Sequence, residues 1–473
     1  MGNVAGAAAT LLLAVAVLID VMRAGPVYGA AGVLYVDALS AYMAATIAIV
    51  GFAAALFSVG YLRADLAIGH VPNGESGLRW YYLGFHVFLW TMLATVTVAS
   101  LGLLWVGIEA TTLASALLVG FYRTKAALEA AWKYLVLCTV GITLALFGVV
   151  LTYLAASEGS VASLDWTELM ARSGQLDPEM MRLGFVFVLV GFGTKAGFAP
   201  LHTWLADAHS QAPSPISAVL SGVLLSCAVY GILRFHMLTT AATDSTFSGR
   251  LLLGFGLISV AIAVPFLVVQ RDLKRLLAYS SVEHIGLMAV AFGIGGPIGV
   301  YAGLLHLVNH AATKALLFFI AGDLVQRFGT RRMSAIRGAI HVAPVLGWGL
   351  LLGLLAIAGA PPASIFVSEF GIVTAGFSGD SSDAAASAVI IFLLALAFAG
   401  LLAHGLRVSF GAPSPTVHVT ARSGHTARLL PVLAAAPLAA MVLLFGIFVP
   451  ESVSDLIREV GAILSVPAGG SGQ

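Results

Sequence analysis

A lysine lies inside an apolar segment near the middle of the chain. Lys195 follows the apolar run 181–194, which is long enough to supply about 21 Å of α-helix. Its ammonium group is therefore expected at membrane depth. Gly197 and Pro200 then interrupt the helix within the stretch 191–218. Because a helix break in a membrane is tolerated only where protein or trapped water satisfies the freed backbone groups, this pattern predicts a polar cavity around Lys195.

A second ionisable residue in an apolar segment is a candidate partner for this lysine. Glu109 lies in WVGIEATTLASALLV, among small residues that allow a neighbouring helix to approach. An ion pair with Lys195 at about 4 Å would be worth about 4 kcal/mol at an effective dielectric of about 20, enough to control whether the lysine keeps its proton. The alternative is a protonated Glu109 that donates to a backbone carbonyl.

Two histidines and a lysine recur at intervals of four in a later apolar segment. His306, His310 and Lys314 therefore share one helix face, which predicts a proton wire because imidazoles titrate near neutral pH. A metal site is disfavoured, because the glutamate of the zinc-protease motif is missing and the lysine would repel a cation. Packing alone is the remaining alternative for the three side chains.

Two further ionisable residues are candidates for the same path. Lys133 follows Glu129 by four residues, so the two side chains can form a local ion pair. One interpretation of Lys133 is a relay role. The alternative is a lysine that extends to the membrane interface and keeps this local pair. Glu369 follows a second break and is expected to be the inverted counterpart of Lys195. Other candidate relay residues are Glu283, His284, His202 and Asp207.

The composition places these residues in a membrane protein. The chain has 473 residues, of which 60% are hydrophobic and 10% charged, against about 25% charged in soluble proteins. The net charge of +1 gives no nucleic-acid signal. With only two cysteines and no Gly-Lys dipeptide, the chain is not expected to hold an iron–sulfur cluster or a phosphate-binding loop. No cofactor or metal is predicted, and redox chemistry is left to a partner.

Apolar runs of membrane-spanning length predict an all-α polytopic fold with about 13 transmembrane helices. The predicted spans are 4–22, 36–62, 81–101, 102–121, 127–155, 181–211 (broken), 215–238, 250–270, 275–293, 298–325, 342–379 (broken), 386–409 and 429–449. The first apolar segment lacks the basic residues of a signal peptide and is expected to be retained.

The two broken spans are an odd number of spans apart, so they run in opposite directions. This predicts two inverted five-helix repeats, each with a broken helix near the midplane. The predicted units are residues 1–80 (N-terminal helices), 81–240 and 250–410 (the two repeats), and 411–473 (a C-terminal helix and an interfacial tail).

The loop charges predict the orientation. Loops on one side hold most of the arginines and lysines, among them Arg63, Arg123 and Arg331, which predicts a cytoplasmic amino terminus and an external carboxyl terminus in the inner (plasma) membrane. The same argument places Arg234 in an external loop and Lys274 in a cytoplasmic one. After the last span, Val453 to Leu464 form an amphipathic helix that is expected to lie on the outer interface. A frayed tail is the alternative.

The motifs around these residues resemble a known family. The segments KAGFAPLHTWLADAH at Lys195, DLKRLLAYSS at Asp272 and HxxxHAxxKALLFF at His306 look like the antiporter-like subunits of respiratory complex I, Mrp antiporters and membrane-bound hydrogenases. EATTLASALLV, LEAAWKYL and AYSSVEHIG are most similar to the component F group of hydrogenase 4 and formate hydrogenlyase complexes.

The resemblance implies a fourteen-helix fold of two inverted half-channels joined by a hydrophilic axis, one helix more than predicted here. It implies that Glu109 and Lys195 are the coupled pair of the first unit, Lys133 an axis residue and Glu369 the terminal group. His306, His310 and Lys314 would connect the two units. Ser226 stands where related subunits have a lysine or histidine, so Glu283 and His284 are an alternative route. No long lateral helix is predicted after residue 449, unlike in the distal complex I subunit.

These observations predict a proton-translocating membrane subunit of a hydrogenase- or complex I-like complex, with other membrane and peripheral subunits and lipid as partners. The chain itself would not be catalytic. One alternative is a cation/proton antiporter, or an ion-coupled uptake subunit, that moves Na⁺. Another is a structural anchor, in which Glu109, Lys195, Lys314 and Glu369 would be replaceable without loss of transport.

Overall fold

The computed structural model describes residues 2–158, 163–412 and 426–464, and it is almost entirely helical. Residues 465–473 of the predicted tail and the loop 413–425 lie outside this part. The helices that form the first half are α1 Gly2–Ala24, α2 Ala38–Ala67, α3 Gly74–Thr97, α4 Leu101–Val119, α5 Lys125–Glu158, α6 Trp166–Ala171, α7 Pro178–Ala196, α8 Thr203–Gln211, α9 Ser214–Val219 and α10 Leu225–Thr243. A π-helical turn, Leu220–Leu224, joins α9 to α10.

The second half continues the series, and its described residues form helices and no strand. Its helices are α11 Phe247–Val269, α12 Leu273–Ile294, α13 Gly296–Phe328, α14 Ala339–Val342, α15 Pro344–Ile357, α16 Ser364–Phe377, α17 Ser381–Phe410, α18 Thr426–Ile447 and α19 Glu451–Leu464. The strands of the described chain are β1 Val27–Gly29 and β2 Leu34–Val36, an antiparallel hairpin between α1 and α2 with Tyr28 opposite Tyr35.

The predicted transmembrane segments all fall on helices or pairs of helices. Within the described residues, ten helices are long and apolar enough to cross a membrane, which confirms a polytopic α-helical fold. The other three predicted segments are α3 and the broken pairs α7–α8 and α15–α16. The number of 13 spans stays a prediction.

The two broken helices are built in the same way. Gly197 after α7 and Gly359 after α15 have left-handed φ angles of 87° and 74°, a conformation that favours glycine. In both, the amide of the residue that follows the glycine donates to the carbonyl five residues before that amide, as in a Schellman motif. These bonds are Phe198 N to Gly193 O, 2.8 Å, and Ala360 N to Leu355 O, 2.9 Å.

This shared construction corrects one prediction about the repeat. When the two glycines are aligned, Lys195 at the end of α7 corresponds to Ile357 at the end of α15. Glu369 lies in α16, after the break, whereas Lys195 lies before it. The prediction that Glu369 is the inverted counterpart of Lys195 is therefore wrong, because the two residues lie on opposite sides of equivalent breaks.

Close packing of α5 against α7 holds the first broken helix in place. Small residues allow the backbones to approach, as is common between membrane helices. A Cβ atom at Gly191 would lie 2.5 Å from the Ala145 backbone nitrogen, and one at Gly148 would lie 2.6 Å from the Gly184 carbonyl oxygen. Neither glycine can take a side chain unless the helices separate.

Gly191→Val is expected to destabilise the protein by about 1–3 kcal/mol, because the added methyl groups must push α7 away from α5. Thermal unfolding of the purified protein in detergent measures the change. Gly254→Val, in α11, is the matched control, since a Cβ there meets no atom within 4 Å. Equal melting temperatures for the two variants would contradict the close packing described.

The amphipathic tail forms the predicted helix, α19. Its apolar side packs on α13 and α2, with Ile457 and Val460 fully buried. The hydroxyls of Ser454 and Tyr301 are hydrogen-bonded at 2.9 Å. The helix is therefore anchored on the protein, and its position in a membrane interface stays a prediction.

Candidate functional site

Lys195 is fully buried and is surrounded by hydroxyl groups. Its ammonium donates to Thr112 Oγ1 of α4 at 2.9 Å and to Tyr134 Oη of α5 at 2.5 Å. The same nitrogen lies 4.8 Å from the centre of the Tyr134 ring. Hydroxyls and a π-face replace part of the water that a buried ammonium loses, and the predicted polar cavity around Lys195 stays a prediction.

Glu109 lies near this site but does not touch the lysine. It accepts a hydrogen bond from Thr139 Oγ1 at 3.1 Å, while its Oε2 atom is buried without a hydrogen-bond partner among the described residues. No ion pair joins it to Lys195 in this part of the chain, although the two groups interact electrostatically. The predicted contact pair is therefore not formed in this conformation.

Lys133 takes part in a charged cluster at the start of α5. Its ammonium lies 2.6 Å from Glu129 and 3.3 Å from Asp207, and the side chain is 49% exposed. Asp207 also pairs with Arg275 of α12 at 3.0 Å. The local pair with Glu129 that the alternative predicts is present, and Asp207 additionally connects α8 to both α5 and α12.

His202 stands at the start of α8, directly after the first break. It is 7% exposed, and its Nδ1 atom has no hydrogen-bond partner in the described chain. The rings of Phe266 and Tyr279 lie 6.5 and 6.1 Å from its own. His202 is not in contact with Lys133 or Lys195, so it stays a candidate relay.

The predicted face of α13 is confirmed as a buried row. His306, His310 and Lys314 are fully buried at successive turns. Lys314 donates to the Leu277 carbonyl at 2.9 Å and to the hydroxyl of Ser280, both on α12. Neither ring nitrogen of His310 has a hydrogen-bond partner among the described residues.

His284 connects this row to Glu369. Its Nδ1 atom lies 3.0 Å from His306 Nε2 and 3.8 Å from Glu369 Oε1. The rings of His284 and His310 are 5.5 Å apart. His306 also contacts Ser368 Oγ at 3.0 Å, on the same helix as Glu369. Because a neutral imidazole has one donor and one acceptor nitrogen, the His284–His306 contact can pass a proton from ring to ring.

Glu369 and Glu283 complete the second cluster. Glu369 is 7% exposed, and its carboxylate packs so closely on the break that a Cβ at Gly359 would lie 2.0 Å from Oε2. Glu283 is buried on α12, interacts electrostatically with Lys314, and has an Oε2 atom without a partner in the described part. The structure therefore brings six predicted residues together around α13: Glu283, His284, His306, His310, Lys314 and Glu369.

Several buried polar residues were missed by the sequence reasoning. His209 of α8 is fully buried, stacks on Phe318 with ring centres 5.1 Å apart, and has no hydrogen bond from either ring nitrogen to a described residue. It interacts electrostatically with Lys274 and Lys314, so it lies between the first break and the row on α13. The signal was present, since His209 falls within the stretch around the first break.

Two basic residues assigned to loops are buried. Lys274 is 3% exposed and donates to the Ala212 carbonyl at 2.5 Å. Arg234 is 1% exposed within α10 and binds Asp37 in a bidentate ion pair at 2.7 and 2.8 Å. Both residues lie on helices and not in loops, and each binds a buried partner distant in sequence, so the loop-charge argument loses one residue on each side.

No group of His, Cys, Asp or Glu within the described ranges has the arrangement of a metal site. Ser226, at the position where the resemblance suggested a lysine or histidine, is buried, and its hydroxyl has no partner in the part of the chain that the structure describes. The site consists of a buried lysine in a hydroxyl pocket, a buried ionisable cluster beside the second break, and His209 between them. This arrangement defines a multi-pass membrane protein with a polar interior.

Sequence comparison gives the family. Residues 98–401 match the transmembrane family described as NADH:quinone oxidoreductase/Mrp antiporter, and residues 31–69 match the N-terminus of complex I chain 5. The chain belongs to this family, which confirms the resemblance of its motifs.

Individual relatives agree with this assignment. The chain is 44% identical over 368 residues to a hydrogenase-4 component F homolog of Methylacidiphilum infernorum, covering 77% of this chain and 76% of the relative. It is 31% identical over 349 residues to hydrogenase-4 component B of Escherichia coli, covering 71% of this chain but only 50% of that protein. A chain of the Mrp complex from Dietzia sp. DQ12-45-1b has the same fold, with a TM-score of 0.82, 20% identity, and coverage of 98% and 91%.

Proposed function

We propose that this chain is a proton-translocating, antiporter-like subunit of a redox-driven membrane complex related to hydrogenase 4 and complex I. The observation that carries the proposal is the contact of His284 with both His306 and Glu369, in a buried cluster that continues along α13 to Lys314. Ionisable side chains buried at membrane depth are costly and are a mark of ion pathways.

The proposed path has two proton-holding ends. Lys195 is the first, because its hydroxyl pocket accommodates an ammonium without an ion pair. The carboxyl of Glu369 is the second, reached from His306 through His284. His209 fits a connecting step, because its ring nitrogens have no hydrogen-bond partner among the described residues and its ring stacks on Phe318, one turn after Lys314. Glu109, Lys133, His202, Asp207, His310 and Glu283 are proposed to control entry to the path or transfer along it.

The energy for transport is proposed to come from partner subunits. Moving one charge against about 100 mV costs about 2.3 kcal/mol, and with two cysteines this sequence lacks the ligands of its own iron–sulfur cluster. The named relatives are components of multisubunit complexes, which supports a similar assembly here. We place the two half-channel units at residues 81–240 and 250–410, with a cytoplasmic amino terminus and an external carboxyl terminus.

Glu369→Gln is expected to lower proton translocation at least about tenfold, because the amide keeps the shape of the carboxyl but cannot take up and release a proton. The assay uses the complete complex in vesicles, with internal pH followed by a dye after reductant is added. Glu179→Gln, whose carboxylate is 82% exposed, is the matched control.

Wild-type transport by Glu369→Gln would remove Glu369 from the path.

The same vesicles show which ion the complex transports. Acidification that persists without sodium supports proton transport, whereas exchange that requires sodium, and proceeds without reductant, would overturn the proposal in favour of a cation/proton antiporter. Mass spectrometry of the subunits that copurify with the chain would identify the redox partner.

A further inference from the structure

Tyr134 contacts both sides of the first helix break. It is fully buried in α5, and its hydroxyl accepts a hydrogen bond from Lys195, two residues before Gly197. Its ring lies 4.6 Å from the ring of Trp204, in the first turn of α8. Trp204 in turn donates from Nε1 to the Thr194 carbonyl at 2.9 Å. One aromatic side chain thus touches the lysine before the break and the helix after it.

The hydrogen bonds around Tyr134 have a definite direction when Lys195 is charged. The ammonium has only donors, so the Tyr134 hydroxyl must accept from it and give its own proton to Ser115 Oγ, 2.6 Å away. Ser115 then donates to the Thr111 carbonyl at 2.5 Å. With Lys195 protonated, the hydroxyls of Tyr134 and Ser115 each accept one hydrogen bond and donate another, and two of the three ammonium N–H groups have hydroxyl acceptors.

Loss of the proton from Lys195 changes both contacts with Tyr134. A neutral amine can accept from the hydroxyl, which would then release Ser115. The attraction between the ammonium and the Tyr134 ring disappears with the charge, since a π-face attracts cations. The surroundings of the ring that packs on Trp204 therefore depend on the charge of Lys195.

The helix that carries Trp204 borders an opening. Trp132, Lys133, Val136 and Leu137 of α5, with Thr203 and Asp207 of α8, line a groove of about 560 Å³. The two helices also contact each other through Tyr134 and Trp204, which are fully buried next to the residues that line the groove. A displacement of Trp204 relative to Tyr134 would change the width of this groove.

We propose that Tyr134 is a positioning residue that links the charge of Lys195 to the placement of α8, and so to access from the groove between α5 and α8. The inference rests on the proposed role of Lys195 in proton transfer and adds a control of access to it. The other titratable groups that act on Lys195 are Cys138 on α5, Glu109 on α4 and Cys227 on α10, and all are kept unchanged in the test.

Thiol labelling of the complete complex in vesicles tests the link. The native Cys138 and Cys227 are 0% and 1% exposed, so the unsubstituted chain should react slowly with N-ethylmaleimide. Thr203→Cys places a reactive thiol in the groove, and Ser173→Cys, outside it, corrects for the pH dependence of the thiol itself. We expect the corrected labelling rate of Thr203→Cys to show a transition with pH that matches the pH profile of transport.

Two variants of Tyr134 separate its ring from its hydroxyl. Tyr134→Phe keeps the ring but removes the acceptor for the ammonium, so the transition and the transport profile should move to lower pH by about one unit, a tenfold change in proton concentration. Tyr134→Leu removes both and should abolish the transition. Tyr153→Phe, on the outward face of the same helix with 40% exposure, should behave as the wild type.

The inference and the proposed function fail in different ways. If the complex does not translocate protons at all, the proposed function fails, while a labelling transition abolished by Tyr134→Leu would still support the link. If transport is intact but labelling shows no transition, or if Tyr134→Leu keeps the wild-type transition, the link between Lys195 and α8 is wrong. A uniform fall in transport for both Tyr134 variants, without a shift in pH, would also overturn it.

Discussion

Lys195→Ala is expected to lower proton translocation by at least about 100-fold while the protein still folds. The side chain carries the ammonium on which Thr112 and Tyr134 converge, and alanine leaves no group there that can take up a proton. The fold should survive, because removing a buried charge together with its desolvation penalty is far less costly than leaving one unpaired. Transport is measured in vesicles with the complete complex, and folding by thermal unfolding.

Lys195→Arg separates the need for a charge from the need for a titratable group. A guanidinium keeps the charge but does not release its proton, so this variant should be as inactive as Lys195→Ala. Lys125→Ala, at the exposed start of α5, is the control and should transport normally. Undiminished transport by either Lys195 variant would remove the lysine from the path and leave a structural role as the better explanation.

The positions of the helices and the row on α13 could be predicted from the sequence, because both depend on short-range periodicity. An apolar run of spanning length forms a helix wherever its partners lie, and residues four apart share a face in any helix. This is why His306, His310 and Lys314 were found with their correct orientation. It is also why Gly197 at the first break, which depends on local backbone conformation, lies where expected.

The partners of the buried groups could not be predicted in the same way. Lys195 donates to the hydroxyls of Thr112 and Tyr134. A hydroxyl carries no formal charge, so the sequence does not distinguish these two residues from the many others that carry a hydroxyl. Glu109 was predicted to be the partner of Lys195 because opposite charges attract. That argument does not include the distance between the two helices that carry these residues. Glu369 was expected to be the counterpart of Lys195 because each lies close to a helix break in the sequence. That argument did not consider that Glu369 follows its break whereas Lys195 precedes the other one.

The ion pair of Arg234 with Asp37 could not be predicted from the sequence either, because its partners are also distant in the chain. Asp37 caps the start of α2, and Arg234 lies 197 residues later in α10. Trp166 and Tyr230 cover the guanidinium at 4.2 and 4.9 Å. The pair therefore joins the start of α2 to α10.

Arg234→Met is expected to destabilise the protein by about 3–5 kcal/mol, because methionine fills much of the space but leaves the Asp37 carboxylate buried at 1% exposure without its partner. Unfolding by denaturant in detergent micelles measures the change. Arg63→Met, at an exposed position, should have little effect. Arg234→Met combined with Asp37→Asn should recover most of the loss, since asparagine is uncharged and still caps α2.

Acidification gives an independent check on the same pair. Burial opposes the charge on Asp37, which precedes α2, but the Arg234 guanidinium outweighs burial and lowers the pKa of the carboxyl. The carboxylate therefore stabilises the fold above its unfolded pKa of about 3.9, and this contribution is lost as pH falls through the lower folded value. Without Arg234, burial alone would raise the pKa of Asp37, so Arg234→Met should gain stability relative to the wild type as pH falls from about 7 to 4. A constant difference between the two proteins over this range would show that the pKa of Asp37 is not raised in Arg234→Met, and would assign the loss of stability to packing against Trp166 and Tyr230.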